Sequence, residues 1–223
     1  MFAVAKEEFR NLAINIKMIL LVILIALFNY NISNMLTSQL SIDGIPKAYA
    51  GLRIIFFILG YLLISIFSHS VLNKEIADGT LKFILSKVSR EEFIVGKFLG
   101  IFLFWTMCML INISMLSILG VTFSFYILWM LCSAVSYFIS IVMLLSVLIK
   151  KENFSNFMGL FVGILFPTIG LYVTESSNML VKYFQYIFPY FYLLKGGIYI
   201  MIPYILSFIL LLFVVIIFNK KEV

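Results

Sequence analysis

Histidine occurs once in this chain, at position 69, and cysteine only twice, as Cys108 and Cys132. One imidazole and two thiols inside apolar runs do not make a metal site, and the thiols read as packed side chains. Charge is also scarce. Only 12% of residues are Asp, Glu, Lys or Arg, against 64% hydrophobic. A soluble domain with so little charge would precipitate, so the apolar excess must face lipid. The long apolar runs contain no Asp, Glu or Lys, and Arg53 stands at the edge of one. Proton- and ion-driven carriers usually keep ionisable groups within the membrane, so energy from outside is the better reading. A GxxxxGK[ST] phosphate loop is missing, so the chain is not expected to hydrolyse ATP by itself. No basic stripe with interleaved aromatics lies outside the apolar runs, which argues against nucleic acid. No apolar stretch followed by small residues opens the chain, so the first run is expected to stay as a span.

What is there is a series of runs of about 20 apolar residues, the length that crosses a bilayer. Six are expected: Met18–Ser38, Leu52–Leu72, Phe98–Leu119, Phe123–Ile149, Phe154–Thr174 and Ile198–Phe218. The fold class is therefore an all-α membrane protein, a single domain over residues 1–223. If both termini share a side, that side collects Lys6, Arg10, Lys17, five cations of the segment 73–97, Lys150-Lys151 and Lys220-Lys221. The other side receives only Lys47, Arg53, Lys182 and Lys195. The positive-inside rule then puts both termini in the cytoplasm, and the net charge of +6 suits an anionic inner leaflet. His69 reads as a helix-end residue reaching the interface.

Residues 1–17 carry Phe2, Ala5, Phe9, Leu12 and Ile16 at helical spacing, with Lys6, Glu7, Arg10, Asn11 and Lys17 on the other face. This predicts an amphipathic helix lying in the interface. The first outer loop is turn-like, with Asp43, Gly44 and Pro46. Spans four and five show small-residue faces (Cys132, Ser136, Ser140; Gly159, Gly163), and Pro167 should kink span five. The segment 175–197 is crowded with Tyr183, Phe184, Tyr186, Phe188, Tyr190, Phe191 and Tyr192. Irregular backbone cannot sit bare in hydrocarbon, so Pro189 and Gly196-Gly197 should divide this segment into short helices, re-entrant or interfacial.

The most informative stretch is 73–97, NKEIADGTLKFILSKVSREEFIVGK, a polar island between two spans. Gly79 can end a helix in the left-handed conformation. Thr80 can cap a short helix over Leu81–Lys87, with Leu81, Phe83, Ile84 and Leu85 as its apolar content. Ser89-Arg90-Glu91-Glu92 fits a capping box that starts the helix leading into span three. Helix, sharp turn, short helix, sharp turn, helix: the island should be a rigid elbow.

Glu75-x3-Gly79-Thr80-Leu81, Ser89-Arg90 and Gly96-Lys97 resemble the E-x3-G-T-L … S-R … G-K stretch of the ABC-2 family, the permease subunits of ABC exporters. The layout is similar too, although Val88 stands where the family often has Pro. The resemblance implies that the short helix is a cytoplasmic coupling helix between spans two and three. Thr80, Leu81, Phe83 and Leu85 would then meet a separate ATPase subunit, with Glu75, Gly79, Ser89 and Arg90 shaping the elbow. It implies two ATPases, which carry the ATP and magnesium, and a second permease subunit, homodimeric or heterodimeric, in a bacterial cytoplasmic membrane. It places Phe57, Tyr61, Phe161 and Phe166 along the pathway and makes Tyr183, Tyr186, Pro189 and Tyr190 an outer gate. No cofactor and no catalytic residue is expected in the chain itself. The uncharged, aromatic interior suits a hydrophobic or amphipathic substrate: a peptide, toxin, antibiotic or lipid. Two other classes share some of these features. One is a toxin-binding immunity or scaffold protein without transport. The other is an intramembrane enzyme using Glu7-Glu8 and Glu91-Glu92, which lacks the buried histidines such enzymes need.

Overall fold

A computed structural model of the chain describes residues 1–36, 49–68, 75, 79–118, 120–149 and 152–220. His69, the turn at Asp43-Gly44-Pro46, and Lys47, Lys74, Asp78, Lys150, Lys151 and Lys221 lie outside the described residues. Among the described residues the structure is helical and contains no strand. We number the helices α1 (Phe2–Ile14), α2 (Ile16–Leu36), α3 (Ala50–Ser68), α4 (Leu81–Leu85), α5 (Arg90–Ile118), α6 (Phe125–Leu148), α7 (Glu152–Glu175), α8 (Met179–Lys182), α9 (Pro189–Lys195) and α10 (Met201–Asn219).

Five helical segments are long and apolar enough to cross a membrane: α3, α5, α6, Phe154–Glu175 of α7, and Gly197–Asn219, which includes α10. A sixth exists if α1 and α2 form one broken span, since they pass the same test together with a bend of 69°. The break has a local cause. Asn15 is extended (φ −67°, ψ 114°), and its side-chain Oδ1 accepts a hydrogen bond from the Lys17 amide at 3.0 Å. That side-chain bond competes with the helical one and restarts the helix in a new direction.

α6 is the central helix, packed against α3, α5, α7 and α10. The small-residue face expected on it is used there. Ser140 Oγ and Ser207 Oγ of α10 are 2.7 Å apart, and Ser207 Oγ donates to the Ser136 carbonyl at 2.8 Å. Thr106 Oγ1 of α5 lies 3.6 Å from Cys132 Sγ. Gly163 of α7 lets Leu62 of α3 approach so closely that an added Cβ would lie 3.2 Å from its backbone. α3 contains a π-helical turn over Ile55–Leu59, a feature with no signal in the sequence. Such turns often occur at functional sites.

Ala5 and Leu12 of the expected apolar stripe are buried in α1 together with Val4 and Glu8, whereas Phe2 is 79% exposed. The buried face is the one by which α1 packs lengthwise on α5. A Cβ on Gly96 would lie 2.8 Å from Val4 Cβ, and one on Gly100 would lie 2.7 Å from the Ala5 carbonyl oxygen. Two glycines one turn apart thus admit the α1 backbone, and Phe9 packs edge-on against Phe104. The segment after Glu175 is a chain of short helices: α8, a 3-10 turn over Tyr183–Ile187, α9, and a 3-10 turn over Gly197–Ile200. Gly196 and Gly197 take positive φ (69° and 58°), and Pro189 opens α9 at the position where its missing N–H costs nothing.

Candidate functional site: a charged elbow at the terminus-bearing end

The expected elbow exists, in a tighter form. Gly79 takes the left-handed conformation at φ 68°. The short helix runs Leu81–Leu85, two residues shorter than expected, because Ser86 and Lys87 leave it as a turn closed by Ser86 Oγ donating to the Phe83 carbonyl at 2.7 Å. Thr80 occupies the cap position but does not cap with its side chain. Its Oγ1 donates backwards to the Glu75 carbonyl at 3.4 Å, tying the two limbs of the turn. The capping box forms as expected. The Glu92 amide donates to Ser89 Oγ at 3.2 Å, and the Ser89 amide donates to Glu92 Oε2 at 3.3 Å. A cap of this kind contributes about 1 kcal/mol. Leu81 is buried and anchors α4, Leu85 is half-buried, and Phe83 projects with 77% of its surface exposed between the exposed Lys82 and Lys87.

Three parts of the chain converge on this elbow. Arg90 does more than shape it. Its Nη1 donates to the carbonyls of Phe218 and Asn219, at 3.2 and 3.1 Å, so its charge caps the C-terminal end of α10. Phe93 and Phe218 stack alongside at 5.9 Å. The terminal amine of Met1 lies 3.8 Å from the Glu92 carboxylate. Deeper, Lys97 Nζ sits between two carboxylates, 2.7 Å from Glu8 Oε2 and 2.5 Å from Glu75 Oε1. All three side chains are largely buried, with 9%, 9% and 19% of Lys97, Glu8 and Glu75 exposed. Lys97 also lies 5.6 Å from the Phe93 ring centre. The second oxygen of Glu75 is buried with no hydrogen-bond partner among the described residues. Burial holds the Glu75 carboxyl above the ordinary carboxylate range, against the opposing pull of the Lys97 charge. Removing one partner of such a buried group costs about 3–5 kcal/mol, because the remaining charge is stranded. Glu75 and Lys97 were both motif letters in the sequence. Glu8 was missed. Its only signal was its register, one turn before Leu12 on the face that meets Gly100.

At the far end, four of the expected pathway and gate residues come together. Tyr61 stacks on Phe166 at 5.2 Å, Phe57 meets Tyr190 at 6.2 Å, and Tyr190 meets Phe166 at 6.0 Å. Gly170 makes the room: a Cβ there would lie 2.4 Å from the Tyr190 ring. Phe138 and Phe188 complete the cluster. Tyr61 and Tyr190 are fully buried, and neither hydroxyl has a partner among the described residues. Pro189 is buried beside them. Phe161 does not join. It is half-exposed on the outer surface of α7 and stacks on Phe157, one turn away, because position 161 lies off the α3-facing side that Gly163 and Phe166 occupy. Tyr183 and Tyr186 are likewise exposed, on the 3-10 turn.

No protein-family model matches the chain, and no curated protein matches it. The likeness to ABC-2 permeases therefore rests on the motif residues and the layout. Among the described residues, no group of three or more His, Cys, Asp or Glu side chains could hold a metal.

Proposed function

We propose that this chain is the permease subunit of an ATP-driven exporter in a bacterial cytoplasmic membrane. It moves a hydrophobic or amphipathic substrate outward, powered by a separate ATP-binding subunit that docks on the elbow. The observation that carries this reading is the exposed Phe83. A large aromatic ring, 77% exposed, is held at the tip of a doubly closed turn that is joined to α1, α5 and α10. A passive linker needs neither the reciprocal caps nor the ties to three helices. Lys82 and Lys87 beside it suit an acidic rim on the partner. Two permease chains and two ATPases, with ATP and magnesium on the latter, would complete the machine.

The aromatic cluster of Phe57, Tyr61, Phe166 and Tyr190 is in this reading the closed pathway, with Pro189 and α9 as its outer lid. The buried, unpartnered hydroxyls of Tyr61 and Tyr190 are then polar handles for an amphipathic substrate.

The test is purification of the chain from its own membrane, together with whatever binds it, followed by measurement of ATP hydrolysis. The reading expects a co-purifying ATPase and no turnover by the chain alone. Turnover by the isolated chain, or its isolation with no ATPase under conditions that preserve membrane complexes, would overturn it.

A further inference from the structure

We propose that Glu8, Lys97 and Glu75 form an ionic strut that makes α1 part of the elbow, so that the elbow cannot move without moving α1. This rests on the coupling role proposed above and extends it to the N-terminal helix.

Four observations carry it. The three charges come from segments far apart in the chain and meet within 2.5–2.7 Å in a largely buried place. Among the described residues, Lys97 is the only side chain that bonds both α1 and the limb holding Glu75. The limb is in turn tied to α4, since the Glu75 carbonyl accepts from Thr80. Finally, Gly96 and Gly100 let the α1 backbone lie close on α5, which brings Glu8 within reach of Lys97. Desolvated charges resist small displacements more steeply than apolar contacts do, since each ångström of separation leaves charge unpaired in a medium of low dielectric. A displacement applied at Phe83 therefore passes through Thr80 and Glu75 to Lys97, and from there to Glu8. Glu8 and Lys97 are positioning residues: neither is placed where it would touch a substrate or nucleotide.

The test is hydrogen exchange read by mass spectrometry on the full chain in lipid nanodiscs. Lys97→Met is expected to raise exchange at least tenfold in both 2–14 and 79–92, with no change in α6. Glu8→Lys should do the same, and the full charge swap Glu8→Lys, Lys97→Glu and Glu75→Lys, which places one anion between two cations, should recover most of the protection. The neutral triple variant Glu8→Gln, Glu75→Gln, Lys97→Met guards against a simple loss of folding, since it strands no charge. In the complex with the ATPase, nucleotide should change exchange in α1 and in the elbow together for the native chain, and in the elbow alone for the triple variant. Loosening of α1 with an unchanged elbow, failure of the swap to recover protection, or α1 still following the elbow in the triple variant would each overturn the strut. The nanodisc measurements need no partner, so their failure leaves the coupling role standing. Absence of an ATPase would sink the coupling role and leave the strut measurable.

Discussion

Replacing Gly100 by alanine is the sharpest structural perturbation this packing allows. The new Cβ would lie 2.7 Å from the Ala5 carbonyl oxygen and 2.7 Å from Glu8 Cβ. Unstrained carbon contacts lie near 3.5–4.0 Å, so α1 must retreat by roughly 1 Å. Backbone cannot swing aside as a side chain can, and overpacking of this kind costs about 1–3 kcal/mol. The retreat also lengthens the 2.7 Å bond between Glu8 and Lys97. Against this, alanine is the better helix former by about 1 kcal/mol. Overpacking and propensity together give a loss of about 0–2 kcal/mol, to which the lengthened Glu8–Lys97 bond adds. Chemical unfolding in detergent micelles, followed by tryptophan fluorescence, reads this directly, because Trp105 is buried on α5, next to Phe104 and one turn beyond Gly100. An unchanged or higher midpoint for Gly100→Ala would refute the close α1–α5 contact.

Three further outcomes are expected. Gly79→Ala should destabilise the elbow by about 1–2 kcal/mol, because a side chain at φ 68° is strained although the space around it is open; protease cleavage at 79–88 should accelerate. Ser207→Ala, which removes the bonds to Ser136 and Ser140, should cost about 0.6 kcal/mol, as polar links between membrane helices do; a differential melt with Ser140→Ala should show coupling. The Glu75 carboxyl is raised by burial, so the folded state holds its proton more tightly than the unfolded state does. Its contribution is thus fully present below the ordinary carboxylate pKa and is lost as pH rises through the folded value. Unfolding midpoints measured upward from about pH 4.5 should fall through that window in the native chain and flatten in Glu75→Gln.

The apolar runs and the elbow were legible because their signals are local. Length and hydropathy mark a span, and Gly79 and Ser89-x-x-Glu92 mark turns by chemistry that acts over four residues. The face by which α1 meets α5 was not legible. It depends on Gly96 and Gly100, which sit more than ninety residues away, and on Glu8 finding Lys97. Periodicity ranks residues by hydrophobicity and marks the face toward lipid, whereas close helix contact is set by which small residues face each other. The division between the interfacial helix and the first span was expected at Met18 and falls at Asn15 instead, where a side-chain bond to the Lys17 amide turns the chain. Arg90 was seen as part of a motif, but its partners are carbonyls at the opposite end of the chain, and carbonyls leave no mark in a sequence. The resemblance grouped Phe161 with Phe166 through their shared span, although five residues on a helix rotate a side chain to a different face.

The central claim is that the elbow is where an ATPase grips this membrane bundle, and Phe83→Asp tests it most directly. Phe83 is exposed, so the substitution leaves the fold intact, which a native unfolding midpoint would verify. A charge in the partner's groove strands an unpaired carboxylate at the contact. In the purified complex, the account predicts that Phe83→Asp either releases the ATPase or leaves hydrolysis that no longer drives substrate across the membrane. Full assembly with native, coupled turnover in that variant would contradict it.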